Sequence, residues 1–232
     1  MTAPRKIKPM LAWHFAPNDM RLANGDGRKI IPGKTLSVKG ELSLCNHGLH
    51  ASRRIIDALQ YATNNQTQIC RVEVSGDVVS GDDKLCGTRR KCLWAVDADH
   101  LLHEFACRCA EDALALIKTP DQRSFAAIKA KRNWLAGNIT EAEMSAAESA
   151  AKSAAESAAE SAAWSAAWSA ALSSALSSAK NAAWGAAWGA ALSAALSTAE
   201  STDESTAESA AWSAQNHRLS AMVASAHRGA IQ

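Results

Sequence analysis

From Ser145 to Ser213 one four-residue unit, Ser-Ala-Ala-X, repeats about seventeen times. X is Glu or Lys at first. It then runs Trp164, Trp168, Leu172, Leu176, Lys180, Trp184, Trp188, Leu192, Leu196, returns to Glu at 200, 204 and 208, and closes with Trp212. Ala is the best helix former and Ser costs only a few tenths of a kcal/mol beside it. No proline falls within 121–232. Strands favour β-branched and aromatic residues and are depleted in Ala, so the repeat reads as α-helix. Thr140-Glu141-Ala142-Glu143 supplies a capping box at its start.

A period of four overshoots the 3.6-residue turn, so the X row drifts about 40° per repeat around a straight helix. Each Trp in that row stands to gain about 4–6 kcal/mol from burial. Trp164, Trp168, Leu172, Leu176, Trp184, Trp188, Leu192 and Leu196 therefore predict helix–helix packing. It is either internal, with a turn near Asn181, Gly185 or Gly189, or between copies in a homo-oligomer. The plainer reading is a rigid Ala-rich spacer. Residues 161–179 and 181–199 carry no charge and are long enough to span a bilayer. Their Ser/Ala content argues against membrane insertion. Gly185-x-x-x-Gly189 adds little, because every period-four repeat makes small-xxx-small.

Charge divides the chain near residue 140. Residues 1–140 hold 21 Lys/Arg against 14 Asp/Glu, and 141–232 hold four against nine. A basic N-terminal part can meet a phosphorylated ligand or nucleic acid, or simply present a solvated basic surface. Arg89-Arg90-Lys91 is its one tight basic run, and few aromatics interleave with the basic residues, so nucleic acid is not expected. No signal peptide is visible, and the six cysteines read as reduced thiols of a cytoplasmic protein. Cys45-x-His47-x-x-His50, and Cys107-x-Cys109 with His100 and His103, lack the spacing of common zinc sites. Buried thiols and no metal are expected.

The organisation predicted is an α+β domain over 1–98, connecting helices over 99–139, and a helical repeat region over 140–232. Strands are expected at 11–15, 34–38, 42–45, 69–74, 78–79 and 92–96, forming a small, mostly antiparallel sheet. A hairpin turn is expected at Asn24-Gly25-Asp26-Gly27 and another turn at Gly76-Asp77. Helices are expected over 53–62, capped by Ser52, and over 99–118 and 121–135. Tyr61 and Trp94 read as core. Leu219, Met222, Val223 and Ala226 form a helical face that suits the N-terminal domain or another chain.

The segments Gly48-Leu49-His50-Ala51-Ser52, Asp57-Ala58-Leu59-x-Tyr61-Ala62 and Val72-Glu73-Val74-x-Gly76 resemble an uncharacterised family of bacteriophage-encoded proteins, whose members often carry Ala/Ser/Trp repeats behind the domain. That resemblance implies a phage or prophage origin, and with it the host cytoplasm. More distantly, His14, Pro32-Gly33, Gly48 to Ser52, and Val72-Glu73-Val74-Ser75-Gly76 leading to Asp82-Asp83 resemble the compact ADP-ribosyltransferases that modify rifamycin. This second resemblance implies an ADP-ribosyltransferase-like fold with NAD as cofactor. His14 would hold the adenosine ribose. Asp82 or Asp83 would stabilise the oxocarbenium, as a carboxylate beside developing positive charge does. Leu49 falls where the family has its nicotinamide-stacking aromatic, with His50 the adjacent stacking candidate.

Each candidate also has a plain structural reading. His14 suits a strand edge, His50 a donor to a loop carbonyl, and Asp82-Asp83 a turn after Ser80-Gly81. The function expected is a phage-encoded interaction protein that self-associates through its repeat helix. Its N-terminal domain would bind a nucleotide-like ligand without turnover. The alternatives are an NAD-dependent ADP-ribosyltransferase acting on a host protein, or a structural phage component.

Overall fold

Cys70, Val72 and Val74 alternate with Arg71, Glu73 and Ser75, the period-two pattern of a strand with one face buried. In the computed structural model, which describes residues 5–22, 26–63, 66–156, 179–197 and 204–231, this segment lies in β4 (Gln68–Ser80). β4 pairs antiparallel with β1 (Arg5–Ala16) on one side and β5 (Leu85–Asp97) on the other. β5 also pairs with β2 (Thr35–Ser37) and β3 (Leu49–Ala51). The result is an open antiparallel sheet of five strands in the order β1-β4-β5-β2, with β3 on β5. Six helices accompany it among the described residues. The fold is thus α+β.

The chain divides into two units. Residues 1–98 with 219–232 form the first, and 99–218 the second. In the first unit Ala12, Ala16, Ala51, Cys70, Val72, Val74, Val78, Leu85 and Cys92 share one apolar cluster with Ile30. α1 (Ile55–Gln60) packs on β1 and buries Ile55, Ile56 and Leu59. The end of α6 (Glu204–Gly229) contributes fully buried Leu219 and Val223 to the chain's core. There His227 stacks on Trp94, with ring centroids 4.1 Å apart.

Four local expectations are corrected. Residues 42–45 are not a strand. Ser43 and His47 close a turn, with Cys45 at φ +69°, and the strand begins at Leu49. Gly76-Asp77 does not turn the chain. It is a bulge inside β4, where Thr88 Oγ1 accepts the Asp77 N–H at 3.0 Å. Ser52 does not cap α1. Arg54 holds that position without a side-chain cap, and Ser52 exchanges both backbone hydrogen bonds with Trp13. Tyr61 is not core: it is 46% exposed. Of the expected hairpin turn Asn24-Gly25-Asp26-Gly27, Asn24 and Gly25 lie outside the described residues; on either side of it Arg21 and Lys29 form an antiparallel bridge.

In the second unit α2 (Asp99–Ala115) buries Leu102, Phe105, Ala106 and Cys109. It packs against α5 (Ala179–Ser197). The buried row of α5 is Ala182, Ala183, Ala186, Ala187, Ala190 and Ala191. Methyl side chains let two helix backbones approach closely, which a Trp row would prevent. Trp188 is accordingly 48% exposed. Trp184 is half-buried and stacks on Trp212. Trp164, Trp168, Leu172 and Leu176 lie outside the described residues, as does the Leu196 side chain.

α3 (Gln122–Leu135) starts at Asp121, whose carboxylate accepts the Arg123 N–H at 2.8 Å. It packs on α4 (Glu141–Glu156) through Ala127 and Ala151. The capping box forms as expected: Glu143 accepts the Thr140 N–H at 2.8 Å and Thr140 Oγ1 accepts the Glu143 N–H at 3.3 Å. Arg132 of α3 ties Glu104 (2.9 Å) and Glu111 of α2 together. Among the described residues no helix is long and apolar enough to cross a membrane.

Candidate functional site

Gly48 decides how the site is assembled. Its φ of +133° belongs to the region that favours glycine, and a Cβ there would press on Cys86 and Leu42 at 3.0 Å. A glycine lets β3 settle against β5, with Leu49 opposite Gly87 and His50 opposite Cys86. One residue past β3, Ser52 bridges to Trp13 of β1. β3 thus connects β5 to β1 and brings Leu49-His50 beside Trp13-His14-Phe15. A cleft of about 730 Å³ opens between them. His14, Leu49, His50, Tyr61, Lys84 and Arg90 are on its wall. The volume falls in the range of small-molecule sites.

Both histidines are held neutral. Burial, then the Arg90 cation, then His50 push the His14 pKa well below the usual value. Burial and Arg90 lower His50 in the same way. The His50 ring also accepts the Cys45 N–H at Nε2, 3.1 Å away, which leaves the ring proton of the neutral form on Nδ1.

Arg90 was not marked as a site residue by its sequence, beyond its place in a basic run. Strand alternation explains its position. Arg89 points to solvent and Arg90 inward, on the side of Cys86 and Cys92. Arg90 is only 3% exposed. Its Nη1 donates to the His50 carbonyl, while its Nη2 is buried without a hydrogen-bond partner. Burial lowers its pKa to about 10, so it remains a cation at neutral pH. Among the described residues no carboxylate forms an ion pair with it. Asp26 also lines the cleft but is committed to Arg28 at 2.6 Å.

The aspartates lie elsewhere. Asp82 is exposed. Asp83 accepts hydrogen bonds from Gln60 (2.7 Å) and from the Tyr61 hydroxyl. Neither lines the cleft; Asp83 is hydrogen-bonded to one lining residue, Tyr61, and precedes another, Lys84. Lys84 sits over the Tyr61 ring at 4.3 Å and donates to Cys45 Sγ at 2.8 Å. Leu49 is 3% exposed and offers the cleft an aliphatic surface. The aromatic surface there comes from Trp13, Phe15 and Tyr61. The structure therefore brings His14, Leu49 and His50 together and leaves Asp82 and Asp83 outside.

Five cysteines are buried and Cys45 is exposed. Among the described residues no group of three or more His, Cys, Asp or Glu is arranged to hold a metal.

Residues 10–104, which span β1 through the start of α2, match the family model of a Domain of unknown function (DUF7666). No curated protein and no solved structure matches the chain.

Proposed function

We propose that the first unit is a ligand-binding module that takes a nucleotide-like molecule in the cleft and does not turn it over. The carrying observation is the convergence of His14, Leu49 and His50 on one cleft of about 730 Å³. A buried structural histidine would sit in filled space; both of these face open volume. The lack of turnover rests on two further points. Leu49 has no ring to stack on a nicotinamide, and neither Asp82 nor Asp83 reaches the cleft wall to face a ribose cation. In this reading the protein is phage-encoded and acts in the host cytoplasm, as the sequence resemblance suggests. The helical region joins copies of the chain through its exposed indoles, such as Trp188, and a host protein is the partner addressed.

Titrating the full chain with ADP and NAD by calorimetry tests the reading. We expect saturable binding that His14→Ala weakens. Absence of binding by either nucleotide removes the proposal and leaves an interaction module. Incubation with labelled NAD and a host lysate tests the alternative of an ADP-ribosyltransferase. Label transfer abolished by Asp82→Ala or Asp83→Ala would establish that enzyme in its place.

A further inference from the structure

Resting on the ligand-cleft reading above, we propose that Arg90 is an anion seat, so that the molecule held in the cleft is recognised by a phosphate group. Arg90 carries a full charge at 3% exposure. Stranding a charge away from water costs several kcal/mol unless it is paired and hydrogen-bonded. A buried arginine with a purely structural role is normally satisfied on both arms of its fork. Here one arm is: Nη1 donates to the His50 carbonyl. The other, Nη2, is buried without a hydrogen-bond partner, in a residue that lines the open cleft. A guanidinium donates well to phosphate oxygens, and such charge-assisted bonds are about twice as strong as neutral ones.

The surroundings fit an incoming anion. Asp26 is occupied by Arg28. The hydrogen bond that Cys70 makes to Cys92, together with burial, raises the Cys70 pKa and keeps its thiol protonated. The other neighbouring thiol, Cys92, has its pKa lowered by its hydrogen bond with Cys70, and its Sγ donates to the Trp94 carbonyl at 3.5 Å. His14 and His50, both held neutral, add hydrogen-bonding nitrogens beside Arg90 without a second positive charge. A single buried cation flanked by neutral donors suits one phosphoryl group. The apolar wall of Trp13, Phe15 and Leu49 suits an uncharged remainder.

The test uses the full chain and four probes: pyrophosphate, ADP, adenosine, and sodium chloride at matched ionic strength. We expect saturable pyrophosphate and ADP binding by calorimetry, no comparable effect of chloride, and adenosine binding far weaker than ADP. Arg90→Gln should weaken pyrophosphate about ten- to a hundredfold. Arg89→Gln, which makes the same charge change at an exposed site, should not. Should Arg90→Gln fail to fold, phenylglyoxal labelling of the unmodified protein replaces it. Pyrophosphate should then protect the peptide that carries Arg90. Lack of pyrophosphate binding overturns the anion seat, as does equal binding by both variants or labelling of Arg90 unchanged by pyrophosphate. Adenosine binding as tightly as ADP overturns it while leaving the cleft reading intact. Pyrophosphate binding without ADP binding keeps the seat and removes the nucleotide reading.

Discussion

At the scale of single residues, the cost of the site is concentrated on three side chains. Arg90 keeps its charge in a place that disfavours charge, while His14 and His50 shed theirs. The histidines make this visible in the pH dependence of stability. In the unfolded chain His14 titrates near its ordinary value of about 6.5. In the folded protein burial, Arg90 and His50 hold its pKa well below that. Between those two values the unfolded state binds a proton that the native state does not. Stability is therefore full above about pH 6.5 and declines as the pH falls toward the folded pKa. His50 acts in the same sense. Denaturant unfolding at pH 7, 6 and 5 should show a decline that is shallower in His14→Gln. Parallel curves for the two proteins would mean that His14 is solvated and does not face the Arg90 cation.

Among the elements, β4 carries the clearest test. Gly76 sits at φ +80°, and a Cβ there would overlap Thr88 Oγ1. Gly76→Ala should cost about 1–3 kcal/mol, from the left-handed backbone together with the displaced threonine. Adding Thr88→Ala should recover only part of it, because removing the hydroxyl relieves the overlap but not the φ. Full recovery would place the whole cost in the side chain. The same bulge shows what the sequence could and could not disclose. Gly76-Asp77 has the composition of a turn, and only the partner strand, by presenting Thr88 to the Asp77 amide, keeps the chain straight. Residues 42–45 failed for a similar reason. Their apolar residues suggest a strand, but the pairing partner on β5 is reached only after Gly48. The Thr140–Glu143 capping box was legible because it is written in adjacent residues, whereas Ser52 has the composition of a cap but is taken up by its pairing with Trp13. The family-like motifs contain His14, Leu49 and His50, which line one cleft. Arg90 was not, since its inward orientation depends on a register shared with two other strands. The repeat announced helices but not their buried face, because Ala and Trp rows compete and the closeness of α2 decides for Ala.

For the whole molecule, the helical region predicts association that depends on its indoles. Light scattering across a concentration series should report a mass above that of one chain, reduced by Trp188→Ser; a monomer at all concentrations would leave the exposed indole without a partner. A more demanding expectation concerns residues 219–232, which belong to the first unit although they lie far from residue 98 in sequence. Leu219 and Val223 are fully buried and His227 stacks on Trp94. Loss of one buried Leu commonly costs about 2–5 kcal/mol, against a total stability of about 5–15 kcal/mol for a domain. A chain ending at Arg218 should therefore keep its helical circular dichroism from the second unit, while the first unit melts at much lower temperature or is unfolded. Tryptophan fluorescence should register the change through Trp13 and Trp94, which meet edge to face at 5.8 Å. Supplying residues 204–232 as a separate peptide should restore part of the lost stability, because the missing contacts are packing contacts and need no covalent link. If the shortened chain instead melts as the full chain does, the sheet and α1 already form a complete core. The segment from Leu219 onward would then be a covering that the first unit can lose, and residues 1–98 would be a free-standing domain.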